Sequence, residues 1–510
     1  MKSSLSRRDF LKAAGMLPLG IGLVPLLQRD GPLQQAADGR RNVLIIVFDA
    51  FSAYHLSFHG YGRQTTPNLT RLIDRAIVYH NHYAAGNFTS PGTASLLTGT
   101  LSWTHRAFQL NGTVRESFVH KTIFQAFSRY HRIAYSHNPL VNTLFKQFKA
   151  DIDDYVPQNR LFLTADPLVH NVFGADEDIA DVGWTRAIKK EQEGYAYSLF
   201  LSDLYKEYIR SKVKGIGVQF PRGIPSVRGD NYFLLEDAID WLKTEIAQLP
   251  QPYLGYIHLM PPHAPCSTHE DFFRTFAGDG FQVPEKPQNV FSGKLTEPEL
   301  ERQRIAYDEY VLYLDREFAR LFEYLETSGV LENTWVVLTS DHGELFERGI
   351  RGHIAPLLYQ PVLRVPLLIF EPGRKSRLDV HAATSAIDLL PTLLHVTGEP
   401  PAAWTEGSLL PPFAEGVPDP ERDVYAVHAK ANDPEAALTH ATAMLARGRH
   451  KLMYFFGYPE LGQGVERVEL YDLWADPEEL HDLYPAEQVL GRELLAFLKG
   501  KLRDVNQPYL

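Results

Sequence analysis

Asn42-Val-Leu-Ile-Ile-Val-Phe48 runs straight into Asp49. Six consecutive apolar residues leave neither face of an extended chain for water, which marks a strand buried inside a sheet covered by helices. Three further runs share the pattern: Tyr253–Met260, Thr334–Ser340 ahead of Asp341, and Val365–Phe370. Helical periodicity lies between them, most clearly over Pro298–Ser328. Strand alternating with helix predicts an α/β domain built on a largely parallel sheet. In such sheets functional groups gather beyond the carboxyl ends of the strands. Asp49, Asp341 and the residues after Met260 all stand there.

The pattern sets the domain organisation. Residues 42–410 form the predicted catalytic α/β domain, with residues 138–235, irregular and aromatic, as an insertion that shapes specificity. A proline- and acid-rich connector at Pro411–Arg422 leads into residues 411–510. There Val424–Lys430, Thr442–Ala446 and Lys451–Phe456 read as short strands and Arg492–Arg503 as a closing helix, a smaller α+β subdomain. Composition narrows the class. With 44% hydrophobic and 22% charged residues the chain is globular rather than disordered. Fifty-one basic against 62 acidic residues leave a net charge of −11, which argues against a nucleic-acid partner. Cys266 is the one cysteine, so no internal disulfide or multi-cysteine metal site can form.

Residues 1–41 read as an address and linker. Ser6-Arg7-Arg8-Asp9-Phe10-Leu11-Lys12 precedes a weakly apolar run from Ala13 to Leu27, broken by glycine and proline. Charge, phenylalanine and apolar run in that order predict a twin-arginine signal and recognition by the twin-arginine export machinery. The expected location is periplasmic or extracellular; an uncleaved signal would leave the protein anchored.

Chemistry concentrates in four places. Asn87-Phe-Thr89-Ser90-Pro91-Gly-Thr93-Ala-Ser-Leu-Leu-Thr98-Gly99 predicts a helix with Ser90 as N-cap, Pro91 first in the helix and Gly99 at its end. Thr89 then precedes a helix N-terminus, where free N–H groups favour an anion, and its hydroxyl is a candidate nucleophile on a phosphate or sulfate ester. Asp49, Asp341 and His342 offer two carboxylates and an imidazole, with Thr89 as a fourth ligand. Mixed oxygen and nitrogen donors favour Zn²⁺ or Mn²⁺, while the carboxylates also admit Ca²⁺ or Mg²⁺. His263, in the proline-stiffened loop His258-Leu-Met-Pro261-Pro262-His263-Ala-Pro265, and His353 are candidates to hold ester oxygens or protonate a leaving group. His258, inside its strand, reads as structural, and Cys266 as packed.

In order along residues 42–485, these segments resemble the sulfatase family of the alkaline phosphatase superfamily. The opening strand with Thr66-Pro67-Asn68-Leu69, the nucleophile helix from Thr89, Ser340-Asp341-His342-Gly343-Glu344, Arg364-Val365-Pro366, Asp388-Leu-Leu-Pro391-Thr392 and Glu469-Leu-Tyr-Asp472 with Asp476-Pro477-Glu478 carry the likeness. The resemblance implies an alkaline-phosphatase-like sandwich around a large, mostly parallel sheet, and a metal-dependent ester hydrolase. Departures bear on the chemistry. Sulfatases place a cysteine or serine, converted to formylglycine, in a C/S-x-P-x-R motif; here Thr89 and Thr93 take the nucleophile and arginine positions. Threonine is not a substrate for that conversion, so no formylglycine is expected. The paired first aspartates become Asp49-Ala50, and Ser136-His137-Asn138-Pro139 replaces a basic stretch. Asn138 thereby joins His263 and His353 as a candidate substrate-binding residue.

A threonine ester must be attacked by water at its central atom, which favours a phospho- over a sulfo-threonine. The expectation is therefore hydrolysis of a phosphate ester or diester, or of a sulfate ester, on a small molecule, glycan or lipid headgroup. The alternatives are a phosphoethanolamine- or glycerophosphate-type transferase, a true sulfatase, and a non-catalytic binding protein on a sulfatase scaffold.

Overall fold

β1 (Asn42–Phe48) is buried along its whole length, as an apolar run without alternation requires. The computed structural model describes residues 39–163, 207–208, 211–229, 231–417 and 419–510. The expected export signal and residues 164–206 of the expected insertion lie outside them. The other strands are β2 (Ile77–Tyr83), β3 (His131–Ser136), β4 (Asp154–Tyr155), β5 (Tyr253–Leu259) and β6 (Thr334–Thr339). A short hairpin of β7 (Leu345–Glu347) and β8 (Ile350–Gly352) follows, then β9 (Leu367–Phe370) and β10 (Leu378–Ser385). Eight of these form one sheet in the order β10-β2-β9-β6-β1-β5-β3-β4. β1 pairs in parallel on both sides, Val47 standing opposite His258 of β5 and Thr339 of β6. Only β9 runs antiparallel, to β2 and to β6. The run at Val365–Phe370 is thus a strand two residues shorter than expected and opposite in direction, so its carboxyl end faces away from Asp49.

Side chains alternate along a strand, and β1 has a helical layer on each face. Val43, Ile45 and Val47 join one apolar cluster with Leu96 and Leu97 of α1 (Thr89–Thr98) and Leu144 and Phe145 of α2 (Pro139–Gln147). Phe48, on the opposite face, meets Phe318 edge-on at a centroid distance of 6.3 Å. Phe318 belongs to α4 (Glu297–Thr327), which packs beside α3 (Leu235–Ile246). The first face is closed by α5 (Leu389–Thr397). Each large apolar side chain so enclosed contributes about 1.5–3 kcal/mol, enough to hold β1 and its acidic end rigidly.

A second, antiparallel sheet runs β11 (Val424–His428), β12 (Ala441–Arg447), β13 (His450–Phe456), β14 (Arg467–Asp472). Leu494, Leu498 and Leu502 of α6 (Gln488–Asn506) pack against it. β14 was not among the expected strands, and α6 extends beyond Arg492–Arg503 at both ends. The chain divides into two compact units, Gln34–Phe162 with Gly217–Leu510, and Met1–Leu33 with Leu163–Ile216. Both sheets belong to the first. Residues 138–162 belong to it as well, because Val141, Leu144 and Phe145 are core residues. Of the second unit the structure describes residue 163, 207–208 and 211–216, the last two segments helical.

Candidate active site

β6, β1, β5 and β3 are parallel neighbours, so their carboxyl ends open onto one edge of the sheet. Asp49 follows β1, Asp341 and His342 follow β6, His258 is the penultimate residue of β5, and Asn138 follows β3. Ser340 ties two of these ends together: its Oγ lies 2.6 Å from the Phe48 carbonyl and accepts the Phe51 N–H at 2.9 Å.

α1 enters from above this edge. Its first helical residue is Thr89 itself, with extended Phe88 as N-cap, so the expected Ser90 cap is corrected by two residues. Ser90 instead donates its hydroxyl to the Leu110 carbonyl at 2.6 Å. Thr89 and Ser90 therefore open the helix with backbone N–H groups that have no partner within it. Gly99 ends the helix in the left-handed region, as expected. Gly92 explains the close seating of α1: a Cβ there would stand 2.2 Å from the Asp341 carbonyl oxygen.

The result is a compact, fully buried group. Thr89 Oγ1 lies 3.4 Å from His342 Nε2 and 3.4 Å from Asn138 Nδ2. Asn138 caps α2, its Oδ1 accepting the Leu140 N–H at 2.8 Å, which turns its Nδ2 onto Asp49 Oδ2 and Thr89. Donor atoms of Asp49, Asp341 and His342 all lie within 4.8 Å of one another. Asp49 Oδ1 is buried with no hydrogen-bond partner. His342 donates Nδ1–H to the Gly343 carbonyl at 2.8 Å, leaving the Nε2 lone pair toward the carboxylates. An orphaned carboxylate oxygen and an oriented imidazole lone pair suit a divalent cation.

Electrostatics agree. Burial opposes the charge of Asp49, but the imidazoles of His263, His258 and His342 more than offset it and hold its carboxyl well below the usual range. Burial and then the charge of Asp49 push Asp341 up. His342 is pulled down by burial, yet Asp341 and Asp49 outweigh this and lift it to about 9. Two buried carboxylates thus draw a proton onto the imidazole wherever no other cation neutralises them.

The comparisons with known proteins fit this picture. The model of the family described as Sulfatase matches residues 41–399, and that described as N-sulphoglucosamine sulphohydrolase, C-terminal matches residues 355–508.

The chain belongs to the sulfatase family.

Among relatives, it is 26% identical to the multifunctional alkaline phosphatase superfamily protein PehA of Trinickia caryophylli, over 89% of this chain and 93% of the relative. It is 25% identical to the choline-sulfatase of Rhizobium meliloti (strain 1021), over 87% of this chain and 82% of that one. The phosphonate monoester hydrolase of Agrobacterium radiobacter shares the fold, with a TM-score of 0.62 at 19% identity over 92% of this chain and 96% of that one. As a sulfatase-family protein it is an ester hydrolase of the alkaline phosphatase superfamily. The family generally binds a divalent metal, and Asp49, Asp341 and His342 are the residues placed to hold one.

Against that family background, Thr93 donates its hydroxyl to Asp341 Oδ2 at 3.3 Å, so the residue in the arginine position braces a carboxylate. His353 is buried, with Nδ1 2.9 Å from Glu344 Oε2 and its ring 4.2 Å from that of His342. Burial outweighs the nearby Glu344 charge and lowers His353 to about 4, so it is neutral at rest with its Nε2 lone pair free. His263 sits half-buried, its ring 5.0 Å from that of His353 and its Nδ1 2.7 Å from the Ala264 carbonyl. Burial pushes the Cys266 thiol up to about 12, which leaves it unreactive.

Three contributors escaped sequence reasoning. Glu344 was in a quoted motif without a role. Asn87 donates to the carbonyls of His353 and Ala355 at 2.6 and 2.8 Å and is held by His428 Nδ1 at 2.9 Å, so the second sheet braces the His353 loop. His258, read as structural, has Nε2 3.3 Å from Asp49 Oδ2. A separate cavity of about 390 Å³ opens between Tyr54, Lys286, Glu347 and Arg364. None of the residues above lines it, and Lys286 is already paired with Glu347 and Glu478.

Proposed function

We propose that the protein is an exported, metal-dependent phosphate ester hydrolase that works through a covalent Thr89 intermediate without formylglycine. The observation that carries this reading is the placement of Thr89 Oγ1 at the open N-terminus of α1, within 3.4 Å of both His342 Nε2 and Asn138 Nδ2. A bound divalent ion, Zn²⁺ or Mn²⁺ by the donor set, would lower the pKa of a neighbouring hydroxyl and neutralise charge on the transferring group.

The chain's own groups supply the rest. The Thr89 and Ser90 N–H groups receive equatorial ester oxygens, aided by the helix dipole. Asn138 Nδ2 holds Asp49 and orients Thr89. Thr89 Oγ gives up its hydroxyl proton to solvent and attacks phosphorus as the bond to the leaving oxygen breaks, and the leaving group takes a proton that His263 has drawn from solvent and replenishes from it after each turnover. In the second step water attacks phosphorus; neutral His353 takes its proton, and the bond to Oγ breaks. Glu344 keeps the His353 tautomer and ring in place.

Among the relatives one is named as a multifunctional protein of the alkaline phosphatase superfamily and another as a choline-sulfatase. The choice of phosphate rests on threonine: a sulfo-threonine has no elimination route open to it. Turnover of aryl phosphate mono- and diesters, a phosphonate ester and a sulfate ester by metal-loaded protein, beside Thr89→Ala, tests this. Phosphoester turnover that disappears in the variant is expected. Turnover that survives in the variant overturns the nucleophile, and sulfate as the best ester overturns the substrate class.

A further inference from the structure

His342 Nε2 stands 3.4 Å from Asp49 Oδ1 and 3.6 Å from Asp341 Oδ2. His258 repeats that approach from the neighbouring strand: its Nε2 stands 3.3 Å from Asp49 Oδ2 and 3.8 Å from Asp341 Oδ2, with the ring fully buried. Both imidazoles straddle the same two carboxylates. Distances of 3.3 and 3.8 Å exceed those of firm N–H···O bonds. The shorter falls within, and the longer lies 0.3 Å beyond, the roughly 3.0–3.5 Å that separates donor atoms arranged about 2.1 Å from a common ion. Asp49 Oδ2 already accepts from Asn138, whereas Asp49 Oδ1 has no hydrogen-bond partner. Ala50, buried beside Asp49, has a side chain with no ligand atom.

We propose that His258 is a direct ligand of the divalent ion held by Asp49, Asp341 and His342. The inference rests on the metal-dependent reading above and deepens it: two imidazoles and two carboxylates form a centre for a transition-metal ion, Zn²⁺ or Mn²⁺, in place of a calcium site. The chain reaches it through register. Val47 pairs with His258 across β1 and β5, so a side chain one residue short of the end of β5 reaches the acid that follows β1.

X-ray absorption on the Zn²⁺-loaded protein counts imidazoles by their multiple scattering and needs no variant. Two imidazoles are expected, and one in His258→Gln. Glutamine keeps an N–H donor for Asp49 and offers only a weak ligand, so it separates ligation from positioning. Zn²⁺ affinity measured by chelator competition should fall in this variant by more than about a hundredfold, beyond what loss of an outer-shell partner causes. A single imidazole in the unaltered protein overturns the assignment of His258 while leaving the Thr89 mechanism intact. Unchanged affinity in His258→Gln does the same. A protein that binds no Zn²⁺ or Mn²⁺ overturns the metal-dependent reading itself, and the His258 ligand with it.

Discussion

His105 links the protonation state of the core to the helix that carries Thr89. It is fully buried, its Nδ1 accepts the Ala107 N–H at 3.1 Å, and its Nε2 lies 3.0 Å from Ser95 Oγ on α1. A neutral ring satisfies both contacts; a protonated one loses the first and buries a charge. Burial accordingly lowers His105 to about 3, from an ordinary value of 6.5. Because the folded value is the lower one, its stabilising contribution is complete above pH 6.5 and is lost as pH falls from there toward 3. At about 1.4 kcal/mol per pH unit the full loss is about 5 kcal/mol. His82 and His428, also buried, are lowered to about 3 as well. Together the three remove about 4 kcal/mol per pH unit below pH 6.5, so stability should fall steeply in acid. Urea unfolding at intervals from pH 7.5 to 4.5 measures the slope of stability against pH. His105→Gln, which keeps a hydrogen-bonding group but cannot take up a proton, should lower that slope by about 1.4 kcal/mol per pH unit. Identical slopes in the two proteins would refute the reasoning, because His105 would then not change its protonation on unfolding.

Other outcomes follow from single contacts. Gly92→Ala places a methyl carbon 2.2 Å from the Asp341 carbonyl, so α1 must shift; ester turnover should fall at least tenfold, with a loss of about 1–3 kcal/mol in stability, read from kcat/KM and urea midpoints. Glu344→Gln removes the charge that raises His353, so the acid limb of the kcat profile should move to lower pH while metal content stays constant. Arg7→Lys with Arg8→Lys should strand the protein in the cytoplasm with its esterase activity intact, as seen by fractionation.

How far the sequence could be read depended on whether each signal was local. β1, β5 and β6 were legible because a run buried on both faces leaves a mark in consecutive residues, and the acids that follow β1 and β6 stand out against it. The nucleophile helix was legible for the same reason, within two residues at its start. Strand direction is not written locally: Val365–Phe370 has the composition of its neighbours yet runs the other way. Roles made by pairing were hidden too. Asn138 holds Asp49 only because β3 and β1 flank β5 and because a cap aims its amide, none of which spacing reveals. His258 was set aside for lying inside a strand, but the pairing that sets it opposite Val47 turns its ring to the face on which Asp49, two residues on, also stands. The Asn87–His428 contact joins residues 341 apart, beyond any motif.

The central claim is a bond between Thr89 and the substrate's phosphorus. Acid-quenched, metal-loaded protein with an aryl phosphate substrate, digested and sequenced by mass spectrometry, tests it directly. The account predicts one phosphoryl group on the peptide containing Thr89, carried on Thr89 and absent from Thr89→Ala. A phosphoryl group on any other residue, or an unmodified peptide during rapid turnover, would contradict it.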